Sequence, residues 1–175
     1  MIWLWLFIAI IGIFFGLVVF RGAPYVPSLR ANIKQALHEL YPLNSDDVLV
    51  DIGSGDGIVL REASMIGARA IGYEINPFLV FISRFLSRND NRVSVYLADF
   101  WLTNLPDDTT IVYVFSVKRD VYKIAKKLQK ETNRIGRSLN LISFGFEIGD
   151  IKSVKNVGAY HLYQFHPLQL GKPQV

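Results

Sequence analysis

Positions 48–57 read VLVDIGSGDG, an apolar run followed by an acid and by three glycines at alternate positions. The β-branched run predicts a buried strand, and the glycine cluster predicts a sharp turn into the N-terminus of a helix. Such a turn is expected to offer free backbone N–H groups and to let the backbone approach a ligand closely. These features indicate an open α/β sheet with a ligand at the carboxyl end of its first strand.

The acid at the start of this turn indicates which charge the ligand carries. Asp51 would repel a pyrophosphate and attract a cation. Gly53, Gly55 and Gly57 give the spacing G-x-G-x-G, which differs from the G-x-G-x-x-G fingerprint of dinucleotide-binding folds. S-adenosylmethionine carries a sulfonium and an ammonium group, so the turn, with Ser54 between its first two glycines, favours this cofactor over NAD.

Two further acids follow the next predicted strands. Glu74 ends the strand at 69–74, and Asp99 follows the strand at 93–97. Glu74 can accept hydrogen bonds from both ribose hydroxyls, while Asp99 can accept one from the adenine amino group and Phe100 can cover the ring. Each acid alone could equally be a helix cap or a turn residue. Three acids at successive strand ends favour a site for S-adenosylmethionine.

The remaining chain continues the alternation of strands and helices. Strands are expected at 111–117, 139–146 and 159–165, the last of which could run antiparallel, and helices at 29–40, 58–65, 77–87 and around Val121, Ile124, Ala125 and Leu128. The pattern predicts an α/β fold with a mostly parallel sheet of six to seven strands and helices on both faces.

The N-terminus predicts one transmembrane helix ahead of this fold. Residues 2–20 contain neither a charge nor a proline and would span roughly 28 Å as a helix. A secretory signal is the main alternative, but no basic residue precedes the run and the following Arg21-Gly22-Ala23-Pro24 is a poor cleavage site. We therefore expect an anchor at 1–20, a connector and first helix at 21–41, and a cofactor-binding domain at 42–175.

Charge and composition predict where the protein is located and which classes of partner it binds. Basic residues follow the apolar run and none precedes it, which predicts a single-pass membrane protein with its catalytic domain on the cytoplasmic side. The net charge of +4 does not indicate dedicated nucleic-acid binding, and the absence of cysteine together with the spacing of the three histidines predicts no metal site. The G-x-x-x-G pattern at 12–16 leaves the oligomeric state open.

The helix near residue 121 carries a basic side that has two interpretations. It is either an ordinary solvated face or a contact for anionic lipid headgroups. Its members are Arg119, Lys123, Lys126, Lys127, Lys130 and Arg134.

Several motifs together resemble a known family. The segments PYVPS at 24–28, VDIGSGDG at 50–57, GYEINP at 72–77 and DFW at 99–101 resemble the membrane-anchored seven-strand protein lysine methyltransferases, in a prokaryotic-type form. That family includes enzymes that act on the c subunit of ATP synthase and on the adenine nucleotide translocase. The resemblance is clear over residues 24–117, whereas the C-terminal region is short and diverged.

The resemblance implies a Rossmann-like class I methyltransferase fold and roles for particular residues. It implies cofactor contacts from Asp51, Gly53 and Gly55, with Glu74 on the ribose and Asp99 near the adenine, and it places the PYVPS segment over the active site. The chain departs from the family at Ile58, where a basic residue usually follows the last glycine.

The implied reaction is methyl transfer to a lysine of a membrane-associated protein. In-line displacement mainly requires positioning of donor and acceptor, and a desolvated pocket lowers the pKa of an acceptor amine. Asp99, Trp101 and Tyr25 are the candidate catalytic residues, the two aromatic rings serving as walls for the lysine side chain; core packing is the alternative role for the rings. Methylation of a lipid or quinone-like molecule, and a cofactor-binding scaffold without turnover, remain alternative functions.

Overall fold

The computed structural model describes residues 1–6, 9, 30–115, 120–145, 147–148 and 151–168. Most of the predicted anchor at 1–20 and all of the connector at 21–29 lie outside this part, as does Tyr25. Residues 2–6 are helical and exposed. Within the described residues, no helix combines the length and the apolar character needed to cross a bilayer.

The sheet has seven strands in the order β3-β2-β1-β4-β5-β7-β6. The first five are parallel, and β7 pairs antiparallel with β5 and with β6. This confirms the predicted mostly parallel sheet and the antiparallel option for its last long strand. The strands are β1 (Val48–Ile52), β2 (Arg69–Glu74), β3 (Val93–Leu97), β4 (Ile111–Phe115), β5 (Leu139–Phe144), β6 (Lys155–Val157) and β7 (Tyr160–Phe165).

The helices agree with the predicted positions to within a few residues. They are α1 (Arg30–Gln35), which continues as a π-helix (Ala36–Leu40), α2 (Ile58–Ile66), α3 (Pro77–Leu86) and α4 (Val121–Ile135). The amide of Tyr41 donates to the carbonyl of Ala36 at 3.0 Å, the wider spacing that ends the π-helical turn.

Helices cover both faces of the sheet, as predicted. Ile33, Leu60 and Val80 from α1, α2 and α3 share one buried cluster with Leu49 of β1. On the other face, α4 packs alone against a second cluster that includes Val50 and Ile71 of the sheet. The fully described segment 98–110 joins β3 to β4 without a helix, so among the described residues no helix follows β3 on this second face.

The first helix belongs to the folded domain. Ile33 and Leu37 are fully buried in the same cluster as β1 and α2. Arg30 Nε also lies 2.6 Å from Oε1 of Glu62, a buried carboxylate on α2. The domain boundary expected at residue 42 therefore falls inside one packed unit, because α1 and the π-helix supply part of its core.

The basic side of α4 is partly used inside the protein. Glu131 is fully buried and accepts hydrogen bonds from Lys127 Nζ and Arg134 Nε, both at 2.8 Å, and from the amide of Leu105 at 3.2 Å. Lys123, Lys126 and Lys130 stay exposed. Lys127 is therefore largely withdrawn from the basic face expected on this helix, whereas Arg134 stays exposed while it binds the loop 98–110. Arg119 lies outside the described residues.

Candidate active site

The three predicted acids lie at one edge of the sheet. Because β1, β2 and β3 are parallel neighbours, their carboxyl ends meet: Asp51 pairs in register with Gly72, and Glu74 with Leu97. Asp51 and Glu74 are buried, at 3% and 8% exposure. Asp99 follows β3 in the exposed connection.

The backbone amides of the turn after β1 donate hydrogen bonds within the protein. Gly53, Gly55 and Gly57 all have positive φ, between 53° and 78°, which explains three glycines at these positions. The amides of Gly53 and Ser54 donate to the carbonyl of Tyr73, and the amide of Gly57 donates to the carbonyl of Ser54. The expectation that these amides are free is therefore wrong, and the turn does not present them to a phosphate.

Glu74 holds this turn in place. Its Oε2 accepts from the amide of Gly55 at 2.9 Å, and its Oε1 accepts from the amide of Asn76 at 2.8 Å. A carboxylate has about four acceptor positions, so two remain for ribose hydroxyls. Glu74 thus organises the site as well as offering the predicted ribose contact.

The environment of the Asp51 carboxylate favours a positively charged ligand. Burial raises the pKa of its carboxyl group well above the usual range, and the carboxylates of Glu74 and Asp56 raise it further. A positively charged ligand would offset both effects. This is the environment expected for the ammonium or sulfonium group of S-adenosylmethionine.

Two close approaches that sequence reasoning missed shape the turn. A Cβ at Gly72 would lie 2.5 Å from Ser54 Oγ and 2.7 Å from Leu60 Cδ1, and a Cβ at Gly57 would lie 2.1 Å from Ser83 Oγ. The turn therefore rests directly on β2 and on α3. A glycine inside a strand is the signal that could have identified Gly72.

Gly72→Ala should displace the turn and weaken cofactor binding. Because the new methyl group has no room, we expect a loss of about 1–3 kcal/mol in the free energy of unfolding, together with weaker S-adenosylmethionine binding by calorimetry. Combining it with Ser54→Gly removes the clash with Ser54, although not the one with Leu60, and should restore part of the stability. A single variant with unchanged stability and affinity would contradict this packing.

Ser54 is suited to meet a ligand. The residue is buried, at 5% exposure, and its Oγ has no hydrogen-bond partner in the described part of the chain. An unpaired buried hydroxyl is costly unless a ligand or water completes it. This observation fits the predicted cofactor contact of Ser54.

Arg61 is a second residue that the motif did not predict. Its Nη1 donates to the carbonyl of Asp56 at 2.6 Å, and its Nη2 lies 3.5 Å from Asp56 Oδ2. The position after the last glycine is Ile58, but α2 brings this guanidinium back to the turn from its next helical turn. The chain therefore retains a basic group beside the turn.

Asp99 and Trp101 lie in the exposed connection after β3, which is here called the rim of the predicted site. Oδ1 of Asp99 accepts from the amide of Trp101 at 2.9 Å, so the carboxylate also shapes its own turn. The indole of Trp101 is 43% exposed and lies 5.4 Å from the ring of Phe100. This exposure argues against core packing for Trp101 and leaves its role as a wall for lysine a prediction.

Phe100 lies deeper than expected. It is 4% exposed and packs in the second core cluster with Tyr73 and Leu105, and Lys127 Nζ lies 5.8 Å from its ring centre. The structure thus favours packing for this ring, and its contact with adenine stays a prediction. The role of Tyr25 also stays a prediction, because that residue lies outside the described part.

A groove runs beside β2 and β3. It has a volume of about 560 Å³ and is lined by residues that include Tyr73, Leu97 and Ala98. These residues adjoin Glu74 and Asp99 in the chain or in the sheet register, but none of the three acids lines the groove itself, so we place the cofactor at the strand ends. Among the described residues, no cluster of histidine and acidic side chains could hold a metal ion.

The fold is the Rossmann-like fold of class I methyltransferases. An RNA methyltransferase from Salinibacter ruber, solved with S-adenosyl-L-homocysteine, superposes with a TM-score of 0.72 at 24% identity, covering 85% of this chain and 98% of that one. At this identity the likeness establishes the fold. The chain belongs to the family described as the ANTKMT methyltransferase domain, whose profile matches residues 51–155. This membership confirms the predicted family, the methyltransferase class and its cofactor, S-adenosylmethionine.

The chain is also similar to two named lysine methyltransferases. It is 34% identical over 117 residues to the lysine N-methyltransferase of the ATP synthase c subunit from Xenopus laevis, covering 65% of this chain and 50% of the relative. It is 33% identical over 120 residues to the adenine nucleotide translocase lysine N-methyltransferase of Mus musculus, covering 64% and 52%. The chain thus spans about half the length of these curated relatives.

Proposed function

We propose that this chain is an S-adenosylmethionine-dependent lysine N-methyltransferase that acts on a membrane protein from the surface of the bilayer. The relatives named above methylate lysine, in the c subunit of ATP synthase and in the adenine nucleotide translocase. The order of the three strand-end acids, the acid-glycine turn and the aromatic rim supports the same class of reaction here.

One observation carries the proposal. Asp51 and Glu74 are two buried carboxylates at neighbouring strand ends, and burial together with mutual repulsion raises the pKa of Asp51. Such a site favours a cationic ligand with adjacent hydroxyl groups. The unpaired Ser54 Oγ adds a hydroxyl within the same turn.

The chain's residues would mainly position the reaction. When bound, S-adenosylmethionine supplies an electrophilic methyl group to an unprotonated amine by in-line displacement. Trp101 would pack against the methylene groups of the target lysine and help to exclude water, which lowers the pKa of the amine.

The location is part of the proposal. A helical anchor at 1–20 would hold the domain on the cytoplasmic side, with the lysine of the substrate near the headgroups. The described beginning of this segment supports an apolar anchor, because Ile2, Trp3 and Trp5 are 68–80% exposed. Tethering raises the effective concentration of a membrane substrate over a freely diffusing one.

Methyl-labelled cofactor tests the reaction. Incubating the detergent-solubilised full chain with labelled S-adenosylmethionine and its own membranes should place label in protein, recovered as methyl-lysine after hydrolysis. Asp51→Asn is the control and should lose the signal, because the cofactor site is lost. In a separate experiment without detergent, an alkaline carbonate wash of membranes that contain the full chain should leave the chain in the pellet.

Other outcomes point to the alternative functions. Label in the lipid extract would replace the protein target with a lipid or quinone-like acceptor. Cofactor binding without transfer to any fraction would support a scaffold. Release of the full chain by carbonate would contradict the anchor without affecting the reaction assignment.

A further inference from the structure

Helix α3 presents its large apolar residues outward. Its buried positions are Val80 and Ser83, whereas Phe78, Phe81 and Phe85 are 56–67% exposed. A surface helix of a soluble domain normally has the reverse arrangement, with apolar residues toward the core. A small residue is needed at the inner position 83 because Ser83 packs closely on the turn: a Cβ at Gly57 would lie 2.1 Å from its Oγ.

The outer residues form one continuous surface, here called the phenylalanine face and defined as Phe78, Phe81, Phe85 and Leu86. The three phenylalanines recur at helical spacing, and Leu86 is 48% exposed beside them. The rings of Phe81 and Phe85 are nearly parallel, at 19°, with centres 6.5 Å apart. No packing within the described domain explains this face.

Its surroundings are basic. Residues 77–88 include Arg84 and Arg88 and contain no acid. The guanidinium of Arg84 donates to the carbonyl of Val95 in β3, from Nε at 2.9 Å and from Nη2 at 2.7 Å, so Arg88 is the basic group beside the phenylalanines. The guanidinium of Arg88 lies 4.6 Å from the ring centre of Phe85, so cation and aromatic ring share one surface. The next acid along the chain, Asp90, already accepts a hydrogen bond from the amide of Arg92.

We propose that the phenylalanine face lies in the interface of an anionic lipid bilayer. Aromatic rings at the headgroup level with a basic residue beside them, here Arg88, are typical of a helix that lies in the membrane plane. A second copy of the chain fits this face less well, because a twofold contact would bring Arg88 of both copies together without an acid on the helix to offset them.

This contact would orient the site toward the bilayer. Helix α3 begins directly after Glu74, and its Ser83 packs on the acid-glycine turn. Phe78, at the start of α3, and the exposed Trp101, after β3, both follow strand ends at the carboxyl edge of the sheet. A bilayer on α3 would thus lie one helix away from the cofactor turn. The inference rests on the exposure and charge of α3, independently of any methyl transfer.

Single-cysteine labelling tests the proposal, because the chain has no cysteine of its own. The environment-sensitive fluorophore NBD is attached to Phe81→Cys or, as a matched control, to Tyr122→Cys. Tyr122 is 78% exposed on α4, across the sheet from α3. The full chain is reconstituted into vesicles of phosphatidylcholine with or without phosphatidylserine, each prepared with and without nitroxide-labelled lipid.

We expect a blue shift and several-fold stronger lipid quenching at position 81 than at position 122, and a larger effect with phosphatidylserine. Adding Phe85→Glu should reduce the quenching at position 81 while cofactor affinity stays unchanged, which shows that the domain remains folded. Equal quenching at both positions, or none at position 81 in vesicle-bound protein, would overturn the proposal. A shift that depends on protein concentration and not on lipid would indicate a second copy instead.

Discussion

Asp51→Asn is expected to remove most of the affinity for S-adenosylmethionine while making the unliganded domain more stable at neutral pH. The asparagine keeps the shape of the side chain but cannot offer a charge to a cationic ligand. Losing a charged hydrogen-bond acceptor costs about 1.5–3 kcal/mol, roughly 10- to 150-fold in affinity.

The gain in stability follows from the raised pKa. Burial, and then the carboxylates of Glu74 and Asp56, raise the pKa of Asp51 in the folded domain. The protonated form is therefore favoured by folding, and the stability it contributes is present at low pH and is lost as the pH rises through the folded pKa. At neutral pH an ionised Asp51 destabilises the unliganded domain, and a neutral asparagine does not.

Calorimetric titration and thermal unfolding of the full chain in detergent measure both effects. The affinity of the unsubstituted chain for S-adenosylmethionine should rise with pH, since the cation binds the ionised form, and this dependence should disappear in the variant. The exposed Asp46 supplies the control, because Asp46→Asn removes a carboxylate far less enclosed by protein. Unchanged affinity would contradict the cofactor site, and unchanged or lower stability would contradict the electrostatic account.

Glu131→Gln is expected to cost about 3 kcal/mol in the free energy of unfolding. The carboxylate of Glu131 accepts from Lys127, Arg134 and the amide of Leu105, and Lys127 is only 13% exposed. A glutamine would leave the buried ammonium without its counter-charge. Arg134 would contribute less to this loss of stability, because its side chain is 34% exposed and it also binds Asp107.

The same network predicts how acid destabilises the domain. Burial raises the pKa of Glu131, but the hydrogen bonds from Lys127, Arg134 and Leu105 outweigh it, so the net pKa is lowered. The stability is therefore present above the unfolded pKa of the carboxyl group and is lost as the pH falls through the lowered folded value. Glu131→Gln should flatten this acid limb.

Urea unfolding across a pH series checks this result. Glu39→Gln is the matched control, because Glu39 is exposed and its carboxylate is bonded by the side chain of Gln35. That control should change stability by no more than about 0.5 kcal/mol. A loss below about 1 kcal/mol in Glu131→Gln, or an unchanged acid limb, would show that water replaces the network at little cost.

The sequence by itself determined the order of elements and the location of the site. The run VLVDIGSGDG fixes a buried strand and a turn that only glycine tolerates at three positive-φ positions. Strand–helix alternation implies parallel strands, and parallel strands bring Asp51, Glu74 and the region of Asp99 to one edge. These are local or topological consequences, so a single sequence is sufficient to derive them.

Tertiary structure decided what depends on residues distant in the chain. Strand β6 is only three residues long and pairs with β7 without a periodic pattern of its own. Phe100 is buried and Lys127 paired because the loop 98–110 meets α4, a contact that neither segment encodes alone. The raised pKa of Asp51 and the outward phenylalanines of α3 likewise arise from which groups the packing encloses or leaves in solvent. Burial and electrostatic environment are sums over spatial neighbours, and sequence spacing does not specify those neighbours.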